Sequence, residues 1–147
     1  MKKQIFSAVV TGCLLALMIA VPAHAQMPGT TIRATIPFDF IVRGKTLPAG
    51  NYEIKRFSDS PDGLIIRNVN DNSDHVMFET EPVETSRISS NTEIVFHQYG
   101  DSYFLSEVLT GGEQTGRELP PSREERMLRR EMARNKTVPE TVALMAY

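Results

Sequence analysis

From Thr31 to Leu109 apolar and polar residues alternate with a period near two, broken at intervals by turn-forming residues. That pattern predicts short strands, each with one face turned inward. The first run places Ile36, Phe38, Phe40 and Val42 on one face and Thr35, Asp39 and Arg43 on the other. Pro37 lies inside it and cannot donate to a ladder, so this strand is expected at an edge or bulged there. Leu47-Pro48-Ala49-Gly50 is a turn, followed by a strand with Tyr52 and Ile54 inward. Asp59-Ser60-Pro61-Asp62-Gly63 is a second turn, and Leu64 to Val69 and Val76 to Thr80 are the next strands. Residues 81–91 are polar and read as a loop.

Glu93 to Tyr99 and Tyr103 to Leu109 then form a hairpin around Gly100-Asp101-Ser102. A three-residue loop puts Ile94, Phe96, Phe104 and Val108 on one face. It puts Val95, His97, Tyr99, Tyr103, Leu105 and Leu109 on the other. Both faces are rich in apolar or aromatic residues, which places the hairpin near the middle of the fold. A slip of one residue would change this pairing.

Gly111 to Pro121 reads as a connection. Ser122 and Glu125 then stand in a capping box, the signature of a helix start. The helix is expected over about 122–134, supported by Glu125 and Arg129 four residues apart. Its apolar side is thin, only Met127, Leu128 and Met132, so it should lie peripherally. Thr137 to Tyr147 is expected to form a closing strand. The expected fold is mainly β: an antiparallel β-sandwich or flattened barrel of about 7 strands with one C-terminal peripheral α-helix.

The N-terminal pattern is different. Lys2 and Lys3 precede an uncharged, almost wholly apolar run from Ile5 to Val21, and Ala23-His24-Ala25 follows Pro22. This is the basic start, apolar core and small-x-small site of a secretory signal peptide. Residues 1–25 are therefore read as the signal and residues 26–147 as a single β-rich domain. The run is short for a membrane anchor, which needs roughly 20 apolar residues. Val10-Thr11-Gly12-Cys13 resembles a lipobox, but the apolar run continues past Cys13, where a lipobox would end.

Cleavage removes Cys13, the chain's one cysteine. Disulfides, zinc–thiolate sites and cysteine nucleophiles are then excluded from the domain. Over the 147 residues, 16 Lys and Arg face 18 Asp and Glu. Lys2 and Lys3 are the only charged residues before Gln26, so the exported part carries 14 basic against 18 acidic side chains. A net acidic domain argues against a general nucleic-acid binder.

Few residues suggest chemistry. His97 lies among aromatics, and the expected register puts Tyr99, Tyr103 and Glu107 on its face. These four are the candidate ligand-binding residues, and His97 with Glu107 could form an acid–base pair. The plainer account is a strand histidine packed between tyrosines. Asn68, Asn70, Asn72, Asp74 and Glu79 fall at positions 1, 3, 5, 7 and 12 of a calcium-loop spacing. The first position should be Asp, and Ser73 stands where glycine is needed, so a polar hairpin turn explains them better. No Gly-x-Ser-x-Gly elbow or phosphate-binding glycine loop occurs. No cofactor is implied. The cationic helix could touch anionic lipid, although a solvated, salt-bridged face is the commoner arrangement.

Three stretches carry a resemblance. They are Ile36-Pro37-Phe38-Asp39-Phe40 with Leu47-Pro48-Ala49-Gly50-Asn51-Tyr52, then residues 96–107 from Phe96 to Glu107, and Gly116-Arg117-Glu118-Leu119-Pro120. Together they resemble a family of small secreted bacterial β proteins. Gln98 departs from its pattern, which has a basic residue before that tyrosine. The resemblance implies a shared β fold and export, and it carries over no activity and no site residues.

The expected role is an exported, non-catalytic binding or interaction module of the bacterial envelope, periplasmic or secreted and not integral to the membrane. Its partner would be a protein or a small molecule. One alternative is a small-ligand carrier with an interior lined by Phe38, Phe40, Tyr52, Phe78, Phe96 and Phe104. Another is a hydrolase using His97 and Glu107.

Overall fold

The structure, a computed structural model, describes residues 31–57, 60, 62–71, 73–85 and 88–147. Residues 1–25, expected to be a signal peptide, and Cys13 among them lie outside the described residues. In chain order the elements are β1 (Ile32–Ile36), β2 (Phe40–Val42), β3 (Lys45–Leu47), β4 (Gly50–Arg56), β5 (Gly63–Asn68), β6 (His75–Glu79), β7 (Glu81–Glu84), β8 (Thr92–Tyr99), β9 (Ser102–Leu109), β10 (Thr115–Glu118), α1 (Arg123–Arg134) and β11 (Glu140–Ala146). Among the described residues, no helix is long and apolar enough to cross a membrane.

The strands form two sheets. One is an antiparallel sheet ordered β1-β4-β5-β6. The other runs β11-β8-β9-β10-β7, with β2 paired to both β3 and β9. The expected mainly β, sandwich-like architecture with a C-terminal helix is what the chain adopts, as a sandwich and not a closed barrel. Its described residues form eleven strands, more than the seven expected. The sheets meet at one corner, where the Arg33 amide donates to the Tyr147 carbonyl at 2.7 Å and the Tyr147 amide returns to Arg33 at 2.9 Å.

Part of the extra count comes from Pro37. The single strand expected across it is split in two. β1 alternates strictly, with Ile32, Ala34 and Ile36 buried and Arg33 and Thr35 exposed, and it ends just before the proline. The chain then crosses to the other sheet, where β2 runs parallel to β9 with Phe40 opposite Tyr103. A residue without an amide proton cannot continue a ladder, and here it marks the change of sheet. Asp39, exposed as alternation predicts, accepts from the Ala49 amide at 2.9 Å and braces the β3–β4 turn.

Two segments expected as connections contain strands instead. β7 lies in the expected loop 81–91 and pairs with β10 in the expected connection 111–121. Val83 is the only large apolar side chain across those two strands, so no periodicity betrays them. Pro82 is tolerated because β7 ends the order of its sheet.

The core fills the space between the sheets. Ile36, Val42, Leu47, Ile66, Ile94 and Phe96 are wholly buried. Phe40 meets Tyr52 edge-on at 5.0 Å and Phe96 at 5.6 Å between ring centroids. Of the rings offered as the lining of a carrier, Phe40, Tyr52, Phe78 and Phe96 belong to this one packed cluster, with Phe38 against it. Phe104 packs on Tyr99 instead, at 5.6 Å.

The two-residue β2–β3 turn carries Arg43 at φ 53° and Gly44 at φ 86°. Both signs suit a hairpin of the mirror-turn type, whose first position favours Asn, Asp or Gly. A side chain such as arginine is disfavoured there by roughly 1–2 kcal/mol.

Candidate functional site

The candidate site lies on the outward face of the β8–β9 hairpin, beneath α1. The hairpin loop has two residues, not three. Tyr99 pairs with Ser102 across Gly100-Asp101, with Gly100 at φ 63°. Relative to the expected register, the shorter loop turns the start of β9 over. Tyr103 and Leu105 now face the core, where Tyr103 stacks on Phe38 with centroids 3.9 Å apart. Phe104 faces outward beside Tyr99.

A bulge then restores the original phase. Val95 pairs with Glu107 but Phe96 with Leu105, which leaves Ser106 as the extra residue. Val108 therefore faces inward as expected, and Glu107 keeps His97's side of the sheet. Of the four predicted site residues, the fold brings together His97, Tyr99 and Glu107. Tyr103 is on the opposite face, and that part of the expectation is corrected by the loop length.

Two further residues complete the cluster. The Ser106 hydroxyl lies 3.4 Å from His97 Nε2. His97 Nδ1 lies 3.2 Å from Glu125 Oε1, and the Tyr99 hydroxyl donates to the same oxygen at 3.3 Å. With the ring proton on Nδ1, His97 donates to Glu125 and leaves Nε2 to accept from Ser106. Ser106 is 4% exposed and Glu125 6%, while His97 is half-buried.

The helix start delivers Glu125. Ser122 caps α1, its hydroxyl accepting from the Glu125 amide at 3.1 Å. The Glu125 side chain turns to the sheet, so the residue read as a local capping partner makes a long-range tether. No ion pair with Arg129 occurs among the described residues, contrary to the spacing argument. Sequence reasoning missed both Ser106 and Glu125. The only trace of Ser106 is a small polar residue interrupting an apolar strand, and Glu125 was already explained by its helix.

Electrostatics on this face resist charge. Burial pushes the Tyr99 phenol above its ordinary range, and the Glu125 carboxylate adds to the effect. Burial also raises the Glu107 carboxyl, helped by Glu118 and opposed by His97. Glu118 is its cross-strand partner on β10. A serine, an imidazole and a carboxylate in line could relay a proton. As built, the same contacts pin the first turn of α1 to the sheet.

The calcium-loop candidates do not converge. Asn68 Oδ1 accepts from the Asn70 and Asp71 amides, at 2.9 and 3.3 Å, and so closes the turn. Asn72 lies outside the described residues. Glu79 pairs with Gly63 at the far end of the β5–β6 hairpin and accepts from the Ser60 hydroxyl at 3.4 Å. No group of three or more His, Cys, Asp or Glu among the described residues is placed to hold a metal.

Comparison of the chain with protein-family models, with curated proteins and with solved structures gives no match.

Proposed function

We propose that the protein is exported and acts as a non-catalytic binding module that presents α1 to a partner in the cell envelope. One observation carries the reading: Glu125 is the only buried residue of α1. A helix that adds so little to the core offers a surface. Its cap and its tether to His97 and Tyr99 hold that surface at a fixed place on a rigid sandwich. The signal-like residues 1–25 support export.

Mass spectrometry of protein recovered from cells exporting it should give the mass of residues 26–147. A variant with Arg126, Arg130 and Arg134 changed to Glu should keep its β-sheet circular dichroism but leave the envelope fraction. Equal retention of variant and wild type would reject the reading.

A serine hydrolase is the second reading, favoured by the Ser106–His97–Glu125 line. It keeps His97 from the expected His97–Glu107 pair, replaces Glu107 with Glu125 and adds Ser106 as the nucleophile. Against it, Ser106 is buried beside its own backbone bond, in which its carbonyl accepts from the Leu119 amide at 2.7 Å. A fluorophosphonate probe that labels the wild type but not Ser106→Ala would support it, and no labelling of the folded protein would reject it.

A further inference from the structure

Residues 122–136 hold six of the chain's 16 basic residues and three of its 18 acids, and one of those acids is the buried Glu125. The segment is thus a cationic patch on an otherwise acidic protein. Apart from Arg126, which donates to the Pro121 carbonyl at 2.5 Å, its cations are also free of ion pairs among the described residues. Arg33, Lys55 and Arg67 on the first sheet are all tied to Glu53. Arg123, Arg129, Arg130, Arg134 and Lys136 enter no ion pair among the described residues.

Helical spacing groups Arg123, Met127, Arg130 and Arg134 on one stripe, and all four are exposed. Met127 is 60% exposed among these cations. Beside it, a cleft of about 460 Å³ separates α1 from the β2–β3 turn. Met127 and Leu128 supply apolar lining, and Arg43 and Arg123 supply cations. Glu124 and Glu131 also line it, so the positive charge lies on the outward stripe and at the turn. Arg43 brings a further cation to this cleft from the β2–β3 turn. It holds a left-handed backbone conformation that suits Asn better, and it does so at this cleft.

We propose that α1 and the Arg43 turn form a docking surface for an anionic phospholipid bilayer. The arginines meet headgroup phosphates, and Met127 enters the interface beside them. This deepens the binding-module reading and rests on it. Charge complementarity, together with an apolar residue set among the cations, favours lipid over an acidic protein.

The test uses the exported protein, mass-checked, sedimented with phosphatidylcholine vesicles and with vesicles that also contain phosphatidylglycerol. Binding is expected only to the anionic vesicles and should weaken as salt rises. Arg130→Ala should lower partitioning about fivefold. Arg43→Asn should lower it by a similar factor while the melting temperature holds or rises, a result that misfolding cannot produce. Equal partitioning to both vesicle types, or an Arg43→Asn variant that binds like wild type, overturns the proposal. If the triple Glu variant leaves the envelope fraction while the wild type ignores anionic vesicles, the lipid proposal fails and the binding module stands. If the variant also stays in the envelope, both fail.

Discussion

The contact between the two sheets and the contact between α1 and the second sheet are built by different means. Between the sheets, Ile36, Val42, Leu47, Ile66, Ile94 and Phe96 are wholly removed from water. Each such side chain contributes roughly 1.5–3 kcal/mol, and the attraction has no direction. Beneath the helix, the buried residue is a carboxylate fixed by His97 and Tyr99. A hydrogen bond to a charged group adds about 1.5–3 kcal/mol net, comparable to one buried side chain, but it also sets position and angle. The first contact keeps the domain folded. The second decides where the helix sits and lets it open without the sandwich unfolding.

Phe96→Ala should give the largest effect. It removes a ring packed on Phe38 and Phe40 and leaves a cavity, costing about 3–5 kcal/mol. In a thermal melt, sheet and helix signals should fall together at a much lower temperature. A helix surviving above the sheet transition would break the comparison. Glu125→Ala comes next. It strands the Tyr99 hydroxyl and His97 Nδ1 under the helix, at about 1–3 kcal/mol. That loss should appear locally, as faster hydrogen exchange over residues 123–134, with little change in the sheet melt. Glu125→Gln should restore part of the protection, since an amide oxygen still accepts from Tyr99. A sheet melt lowered as far as by Phe96→Ala would show that the helix is part of the core after all.

The same division explains what the sequence made legible. Where burial drives the structure, alternation announces it: Ile32, Ala34 and Ile36 in β1 and Tyr52 and Ile54 in β4 point inward as their pattern says. Where both faces of a strand are apolar, as from Glu93 to Leu109, a slip of one residue sacrifices no burial. The pattern there could not count loop residues or foresee the bulge at Ser106. β7 and β10 are held by backbone pairing, with almost no apolar side chains to reveal them. Glu125 illustrates the remaining gap. A capping box fixes the helix start from local spacing alone, and nothing local says that the carboxylate will reach residues 26 and 28 positions away.

Ser122→Ala sharpens the comparison from the other side, at about 1 kcal/mol. The hydroxyl satisfies the Glu125 amide, and α1 has too little apolar contact to compensate. Helical circular dichroism should drop while the sheet transition stays in place. A helix signal equal to that of wild type would mean that the cap is not what orders the first turn.

The last test is a difference of sign with pH between two glutamates. Glu53 on β4 accepts from Lys55, Arg33 and Arg67, and these bonds hold its carboxyl down to about 2. Its folded value lies below its unfolded one, near 4.5. Its contribution is therefore complete above about 4.5 and is lost as pH falls toward about 2. Glu107 runs the opposite way. Burial, with Glu118 beside it, raises its folded value, so the native state keeps the proton longer than the unfolded chain does. Stability then declines as pH climbs from the unfolded value through the raised one. Glu53→Gln should flatten the acid side of the stability profile, and Glu107→Gln should make the protein slightly more stable than wild type at neutral pH. Denaturant titrations across this range would read both slopes. A Glu107→Gln variant less stable than wild type at neutral pH would mean that its ionised carboxylate has a favourable partner on that face, and among the described residues His97 is the neighbour whose charge opposes the upward shift.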